Sequence, residues 1–301
     1  MKTVRNCPIC GNSRFRFLGA AKPGTGLHTA QVICRECRLI ISQPQANVAE
    51  MNDHYRNVYY QQIWKEDTIE LDSSRSHLRV IYELIGETIS GKRVLDVGCG
   101  YGKMLRVLND LGNQCYGCDI SEKAVQYAID NFDLRGVRCG DIASFRGEIF
   151  DVVLSFHTIE HLPEPRMFCR DLVALAAPGG LVIVGTENAR YCQAFLERNL
   201  SALSGRGKPF FTSQEHTFVF ETTNIRRLLS DCGLEDVRSM AYHVVPATFG
   251  TAAKESLHWA VYKKLCRMVD RWSGGLGPYL VAAGRRPFGA RCRVNAGSIT
   301  L

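Results

Sequence analysis

The run Val94-Leu95-Asp96-Val97-Gly98-Cys99-Gly100-Tyr101-Gly102 limits what this chain can fold into more than any other stretch. An apolar strand leads straight into a glycine-rich turn, and Lys103 to Asp110 continues with apolar residues at helical spacing. Strand, glycine turn and helix make the first unit of a nucleotide-binding α/β sheet. Glycine is needed because the backbone bends sharply and a ligand lies against it where a Cβ would stand. A dinucleotide site would have its third glycine where this chain has Lys103, since Gly98, Gly100 and Gly102 alternate instead.

The segments that follow fit the same sheet. Asn113 to Cys118 reads as a second strand ending at Asp119 and Ile120, and Ser121 as the N-cap of a helix over Glu122 to Asp130. Asp119 lies 23 residues after Asp96, close to the interval of about 20 at which a carboxylate meets ribose hydroxyls. Val137 to Ile142 reads as a third strand and its exit. Ile149 to Ser155 has the continuous apolar look of a central parallel strand, and it delivers Phe156-His157-Thr158-Ile159-Glu160-His161-Leu162-Pro163 to the edge of the sheet where ligands bind.

An acidic residue, a hydrophobic one and then Gly-x-Gly-x-Gly, here Asp96 to Gly102, resembles the first motif of the class I S-adenosylmethionine-dependent methyltransferases. The turn Ala177-Pro178-Gly179-Gly180 into a strand over Leu181 to Gly185 matches that family's third motif. The resemblance implies an α/β fold with a seven-stranded, mostly parallel, Rossmann-like sheet and helices on both faces. It implies S-adenosylmethionine as cofactor, with Asp96, Gly98, Cys99, Gly100 and Gly102 at the methionyl part and Asp119 and Ile120 at the ribose. Asp141 would bond the adenine amino group, Ile142 would cover the ring, and Ser155 would complete the set. Asn188 and Arg190, after the fifth strand, are expected on the substrate side.

The residues after the fourth strand bear on which atom is methylated. The Asn/Asp-Pro-Pro-aromatic clamp of base amino-methyltransferases is absent, and His157, Glu160 and His161 stand in its place, spaced for one face of a helical turn. An imidazole titrating near neutrality can take a hydroxyl proton as the oxygen attacks, which favours oxygen as the acceptor. His216 joins them from Gln214-Glu215-His216-Thr217-Phe218-Val219-Phe220, ahead of a helix starting near Thr222 to Asn224. The Glu-His-Leu-Pro run and the His-x-Phe-x-Phe segment look like the ubiquinone-biosynthesis O-methyltransferases. Some relatives bind a divalent metal with Glu-x-x-Glu-His and a distant His. Here His157 replaces the first Glu, so a metal-free base is the favoured reading and a catalytic divalent metal the second.

Two Cys-x-x-Cys knuckles, Cys7/Cys10 and Cys34/Cys37, precede the sheet and have the spacing of one tetrahedral structural Zn²⁺ site with no open position. Arg38 follows the second knuckle where glycine would turn more easily. Knuckles, an apolar strand, a proline, tyrosines and only then the glycine loop resemble bacterial zinc-ribbon methyltransferases, many of which act on sugars, lipid-linked glycans or other small molecules. The expected organisation is a zinc ribbon over 1–45, a helical lid or linker over 46–90 that packs across the cofactor entrance, a methyltransferase domain over 91–290 and a tail over 291–301. Within the domain, 196–215 is expected to be a substrate lid and 252–273 an amphipathic helix.

Thirteen cysteines beside an N-terminus without a signal-peptide core suggest a reduced, cytoplasmic setting, and no stretch is apolar enough to span a bilayer. In 254–272 an apolar stripe from Leu257 to Trp272 faces Lys263, Lys264, Arg267 and Arg271; it is read first as packing on the domain and second as peripheral membrane contact. The formal charge of +7 is too mild to argue for nucleic acid. The ribbon's Arg14-Phe15-Arg16-Phe17 alternates as a strand packing one face, so an RNA acceptor ranks below a small molecule. Methylation at a sugar carbon is the rival within small-molecule chemistry, and a non-catalytic cofactor-binding regulator is disfavoured by the titratable groups after the fourth strand.

Overall fold

The computed structural model describes residues 3–20, 30–45, 48–54, 71–190, 216–242 and 277–289. Its larger sheet is built from β4 (Arg93–Val97), β5 (Gln114–Asp119), β6 (Val137–Cys139), β7 (Phe150–Phe156), β8 (Ala176–Glu187), β10 (Glu235–Tyr242) and β11 (Tyr279–Arg285). The strand order is β10-β11-β8-β7-β4-β5-β6; all pairs are parallel except those of β11 with β8 and β10. This is the seven-stranded, mostly parallel sheet expected from the glycine loop. The order reverses between β4 and β7, so the loops leaving those two strands open a crevice at their carboxyl ends.

Strand side chains alternate between two cores, which is why both faces are covered. Leu95, Val97, Val153, Val182, Val184, Leu280 and Ala282 pack with α5 (Pro165–Leu175) and α6 (Thr222–Asp231). Val94, Val152, Leu154, Leu181, Ile183 and Val281 pack with α2 (Asp72–Ile85) and α3 (Lys103–Asn109). A third cluster joins Leu105 of α3 to Val125 and Ala128 of α4 (Glu122–Phe132). Ser121 caps α4, its hydroxyl accepting from the Ala124 amide, as its position before the helix implied.

The first sheet has the order β1-β2-β3-β9, with β1 at Phe15–Ala20, β2 at Ala30–Cys34, β3 at Ile40–Gln43 and β9 at Phe218–Val219. The ribbon therefore borrows its fourth strand from beyond the fifth strand of the main sheet. Ile40 and Ile41 pair with Val219 and Phe218, and the Ser42 amide donates to the Thr217 carbonyl at 2.9 Å. Cys7, Ile9, Cys34, Leu39 and Ile41 belong to the same buried cluster as Val97 and Phe168. Arg166 donates to the carbonyls of Pro8 and Ile9, and Asn224 donates to that of Cys37. A boundary at residue 45 thus separates chain segments but not cores. Arg38, where glycine would turn more easily, takes the left-handed turn itself with φ 63°, and its guanidinium meets Glu221.

Several local expectations are revised. The Ala177–Gly180 turn is absorbed into β8 as a register shift between the pairs Phe150/Ala176 and Val152/Leu181, held by hydrogen bonds from Gly179 to Arg286 and from Arg286 to Gly180. Strand β10 lacked a sequence signal, because Glu235-Asp236-Val237-Arg238-Ser239 is polar on an exposed edge. Of the helical segment expected over 46–90, α1 (Val48–His54) and α2 are described. The lid, the amphipathic helix, the tail and Tyr55, Tyr59 and Tyr60 lie outside the described residues.

Gly185 in β8 has no room for a side chain: a Cβ there would stand 2.2 Å from the Phe156 ring of the neighbouring strand. Gly185→Ala is expected to cost roughly 1–3 kcal/mol of stability through overpacking, measurable by denaturant unfolding, and to move a ring that lines the cavity described next.

Candidate active site

The sheet's switch point opens into a cavity of about 520 Å³. Asp96, Gly98, Cys99, Gly100, Asp119, Ile120, Asp141 and Ile142 line it from the ends of β4, β5 and β6. His77, Phe156, His157, Thr158, His161, Glu187, His216 and Tyr279 line it from α2, the ends of β7 and β8, the segment before β9 and the start of β11. Eight of the ten residues expected to hold the cofactor thus line the cavity.

Each is positioned by local backbone chemistry. The amides of Gly98 and Cys99 both donate to the Cys118 carbonyl, tying the loop to β5. Gly98 has φ 79°, and a Cβ there would sit 2.2 Å from Thr158 Oγ1, so the loop can pass under the crevice only as glycine. Asp119 accepts from the Gly100 amide at 2.8 Å and from the Ser121 amide at 2.9 Å, which presents its carboxylate at the strand end. Asp141 caps a 3₁₀ turn over Ile142–Phe145 by accepting from the Ala143 amide. Asp96 is 3% exposed, and its Oδ1 has no hydrogen-bond partner among the described residues. Burial, helped by the nearby Asp119 charge, pushes its carboxyl up to about 8. A buried carboxylate short of a partner beside a glycine cradle fits a ligand that brings a positive group to this end.

Ser155 and Gly102 do not reach the cavity. The Ser155 hydroxyl, fully buried, donates to the Val97 carbonyl at 2.8 Å and cross-ties β7 to β4. Gly102, with φ 74°, is the residue from which α3 starts. Asn188 and Arg190 are also elsewhere: Asn188 is buried, donating to the Gly277 carbonyl and accepting from the Arg190 amide. Arg75 pairs with Asp72 on the exposed side of α2.

The histidine cluster is assembled by a turn rather than a helix. His157 takes φ 52°, its amide donating to the Gly185 carbonyl, so the chain leaves β7 through a left-handed residue. This brings His157 Nδ1 to 3.3 Å from Glu160 Oε1. Glu160 is 1% exposed and is not part of the cavity wall, but lies directly behind it. Burial alone would raise its pKa; the His157 hydrogen bond and the charges of His161, His157 and His216 outweigh that and hold it down at about 2. Its backbone carbonyl accepts from the Thr217 and Phe218 amides, which carries His216 to the site; the rings of His161 and His216 lie 4.8 Å apart. His216 Nδ1 is 3.2 Å from Glu187 Oε2. Donor atoms of Glu160, His161 and His216 all lie within 4.8 Å of one another, the spacing of a three-ligand metal site.

Sequence reasoning missed His77, Glu187 and Tyr279 on this wall. Glu187 ends β8, a position at which ligand-facing residues are expected, whereas His77 lies on a helix with no motif. In the ribbon, the Sγ atoms of Cys7 and Cys37 are 3.4 Å apart and those of Cys10 and Cys34 3.5 Å, and all four lie within 4.8 Å. A tetrahedron with Zn–S bonds of about 2.3 Å has edges near 3.8 Å, so the thiol cage is the right size for zinc.

Residues 72–239 match the family described as "Methyltransferase domain". The ubiquinone biosynthesis O-methyltransferase of Bordetella bronchiseptica is 31% identical over 182 residues, covering 57% of this chain and 75% of that protein. The enzyme of the same description from Thiobacillus denitrificans is 27% identical over 185 residues, covering 57% and 77%. Among solved structures, an S-adenosylmethionine-dependent methyltransferase from Mesorhizobium loti superposes with a TM-score of 0.48 at 19% identity, covering 72% of this chain and 100% of that one.

Glu160 makes the cluster pH-sensitive. A carboxylate whose folded pKa is depressed contributes stability above its unfolded pKa and loses it as pH falls through about 2. Glu160→Gln is expected to destabilise the protein by roughly 1–3 kcal/mol at pH 7, with the gap to the parent closing below about pH 4, as read from denaturant melts across pH.

Proposed function

The chain belongs to the methyltransferase domain family as a class I S-adenosylmethionine-dependent enzyme, and from that premise we propose that its acceptor is a hydroxyl of a small molecule, a sugar or lipid-linked glycan. One observation carries the reading: a single cavity runs from the Asp96/Asp119/Asp141 wall to the His157/His161/His216 wall. Bound S-adenosylmethionine supplies a methyl carbon on a sulfonium, an electrophile open to in-line attack. The chain must do the rest: hold the two reactants in line and take the acceptor's proton.

Asp96 would receive the cofactor's ammonium, an interaction that offsets its burial. Asp119 would accept from the ribose hydroxyls, and Asp141 and Ile142 would hold the adenine. His161 is the favoured base, with His157 and His216 beside it and Glu160 behind all three, stabilising whichever imidazole is protonated. Hydroxyl chemistry is supported by the O-methyltransferase description of the relatives and by this cluster. The sugar preference is supported by Ser73, Ser74 and Glu187 as hydrogen-bonding groups on a wall that also carries Phe156 and Tyr279. The four ribbon cysteines would hold a structural zinc.

A second reading, a divalent metal held by Glu160, His161 and His216 beside the acceptor oxygen, is favoured by the 4.8 Å clustering of their donor atoms. Two assays separate the readings. With isotopically labelled cofactor and a panel of glycosides and nucleotide sugars, an O-methyl product is expected, unaffected by EDTA, and His161→Ala should lower turnover by about 100-fold or more while S-adenosylhomocysteine binding stays within about twofold. A C-methyl product identified by NMR would overturn the hydroxyl assignment; full activity of His161→Ala overturns the base; loss to EDTA with rescue by divalent cation transfers the role to a metal.

The raised Asp96 pKa gives a separate prediction. Below about 8 the empty site keeps this carboxyl protonated, and binding a cation there requires its ionisation. Affinity for S-adenosylhomocysteine should therefore rise with pH between 6 and 7.5, by up to about tenfold per unit, and calorimetry on Asp96→Asn should show weaker binding without that slope.

A further inference from the structure

His77, on α2, lines the acceptor end of the cavity. Its ring stands edge-on to Phe156 at 5.7 Å, His157 at 6.2 Å and Tyr279 at 5.5 Å between centroids. Behind it Tyr242, buried at the end of β10, brings its hydroxyl to 2.5 Å from His77 Nδ1. Tyr242 is not part of the cavity wall, so this contact uses the ring nitrogen that faces the protein. No hydrogen bond among the described residues engages Nε2.

We propose that His77 is a positioning residue of the acceptor site: Tyr242 fixes its tautomer, so that Nε2–H is presented into the cavity as a standing hydrogen-bond donor to an oxygen of the acceptor substrate. The direction of the buried bond decides this. Among the described residues the Tyr242 hydroxyl has no partner but His77. Were Nδ1–H to donate to the tyrosine oxygen, the phenolic hydrogen would be left buried and unbonded, at a cost of a lost hydrogen bond. With the tyrosine donating instead, its hydrogen is satisfied, Nδ1 carries the accepting lone pair, and the ring proton stands on Nε2.

The ring also stays neutral. Burial, and secondly charge on His157, push its pKa down to about 4. The charged or titratable groups nearest on the wall are His157 and His161 on the turn after β7, Glu187 at the end of β8, His216 before β9 and Tyr279 at the start of β11. A neutral donor adds no positive charge beside a sulfonium and does not compete with His161 for the acceptor's proton. Its partner must be a lone-pair oxygen, which selects acceptors carrying a hydroxyl, ether or carbonyl at that place. The assignment of this end of the cavity to the acceptor rests on the function proposed above; the tautomer does not.

The test begins with the full chain free of acceptor. Long-range ¹H–¹⁵N correlations on histidine-labelled protein, assigned with His77→Gln, should show His77 as the neutral Nε2–H tautomer from pH 5.5 to 8.5. Tyr242→Phe, which keeps the packing, should release it to a tautomer mixture. An Nδ1–H tautomer, an imidazole that titrates near neutrality, or an unchanged tautomer in Tyr242→Phe overturns the proposal. Turnover is then measured with methyl β-D-glucopyranoside and catechol as acceptor probes. His77→Phe should lose about tenfold or more in kcat/KM, the worth of one hydrogen bond, with S-adenosylhomocysteine affinity unchanged, and His77→Gln, which retains an N–H donor, should recover part of it. An active His77→Phe with parental kcat/KM overturns the role in positioning. Absence of turnover in the parent protein with either probe would count against the hydroxyl reading, while the NMR result still decides the state of His77.

Discussion

The histidine cluster of this molecule depends on one buried carboxylate. Glu160 gathers His157, His161 and His216 through its side chain, and through its backbone carbonyl it receives the amides of Thr217 and Phe218. The first role concentrates titratable groups where the sheet opens. The second fastens a segment more than fifty residues later in the chain to the same spot. That carbonyl acts together with the pairing of β9 to β3 and the Thr217 hydroxyl's bond to the His161 carbonyl in holding the segment beside the turn after β7.

Asp96 and Glu160 show how equal burial can have opposite consequences. Both carboxyls are almost completely removed from water. Asp96 faces a second carboxylate and has too few donors, so it favours the proton. Glu160 faces three imidazoles and favours the charge, even though burial opposes it. Asp96 is therefore held protonated near neutrality and Glu160 ionised. A cation is wanted beside Asp96, whereas protons can be taken up near Glu160 with the counter-charge already in place.

Much of the main sheet was legible because its signals are local. The alternation of glycines, the hydroxyl before α4 and the apolar run of β7 each act within a few residues; the glycine loop and its spacing pointed to Asp96 and Asp119, and the family resemblance implied Asp141, all three of which line the cavity. What could not be read depends on contacts between distant segments. Ser155 looked like a wall residue, but its hydroxyl is turned sideways to the Val97 carbonyl. Asn188 looked like a substrate contact, but it secures the Gly277 carbonyl. The His157–His161 run suggested a helical face, whereas the positive φ of His157 produces a turn. His77 carries no motif at all; only the return of β10 behind α2 gives its ring a partner.

The four-stranded first sheet has a consequence for how such a chain can change over generations. Strands β1 to β3 come from the N-terminal segment and β9 from between β8 and α6, so the smaller sheet is encoded in two separated stretches. A recombination event that exchanged residues 1–45 alone would bring in a new edge strand facing an old partner, with Ile40 and Ile41 no longer matched to Val219 and Phe218. The two stretches therefore form one structural unit despite their distance in the sequence. A substitution in the cysteine-bearing segment is answerable to the segment that delivers His216, and the reverse holds equally.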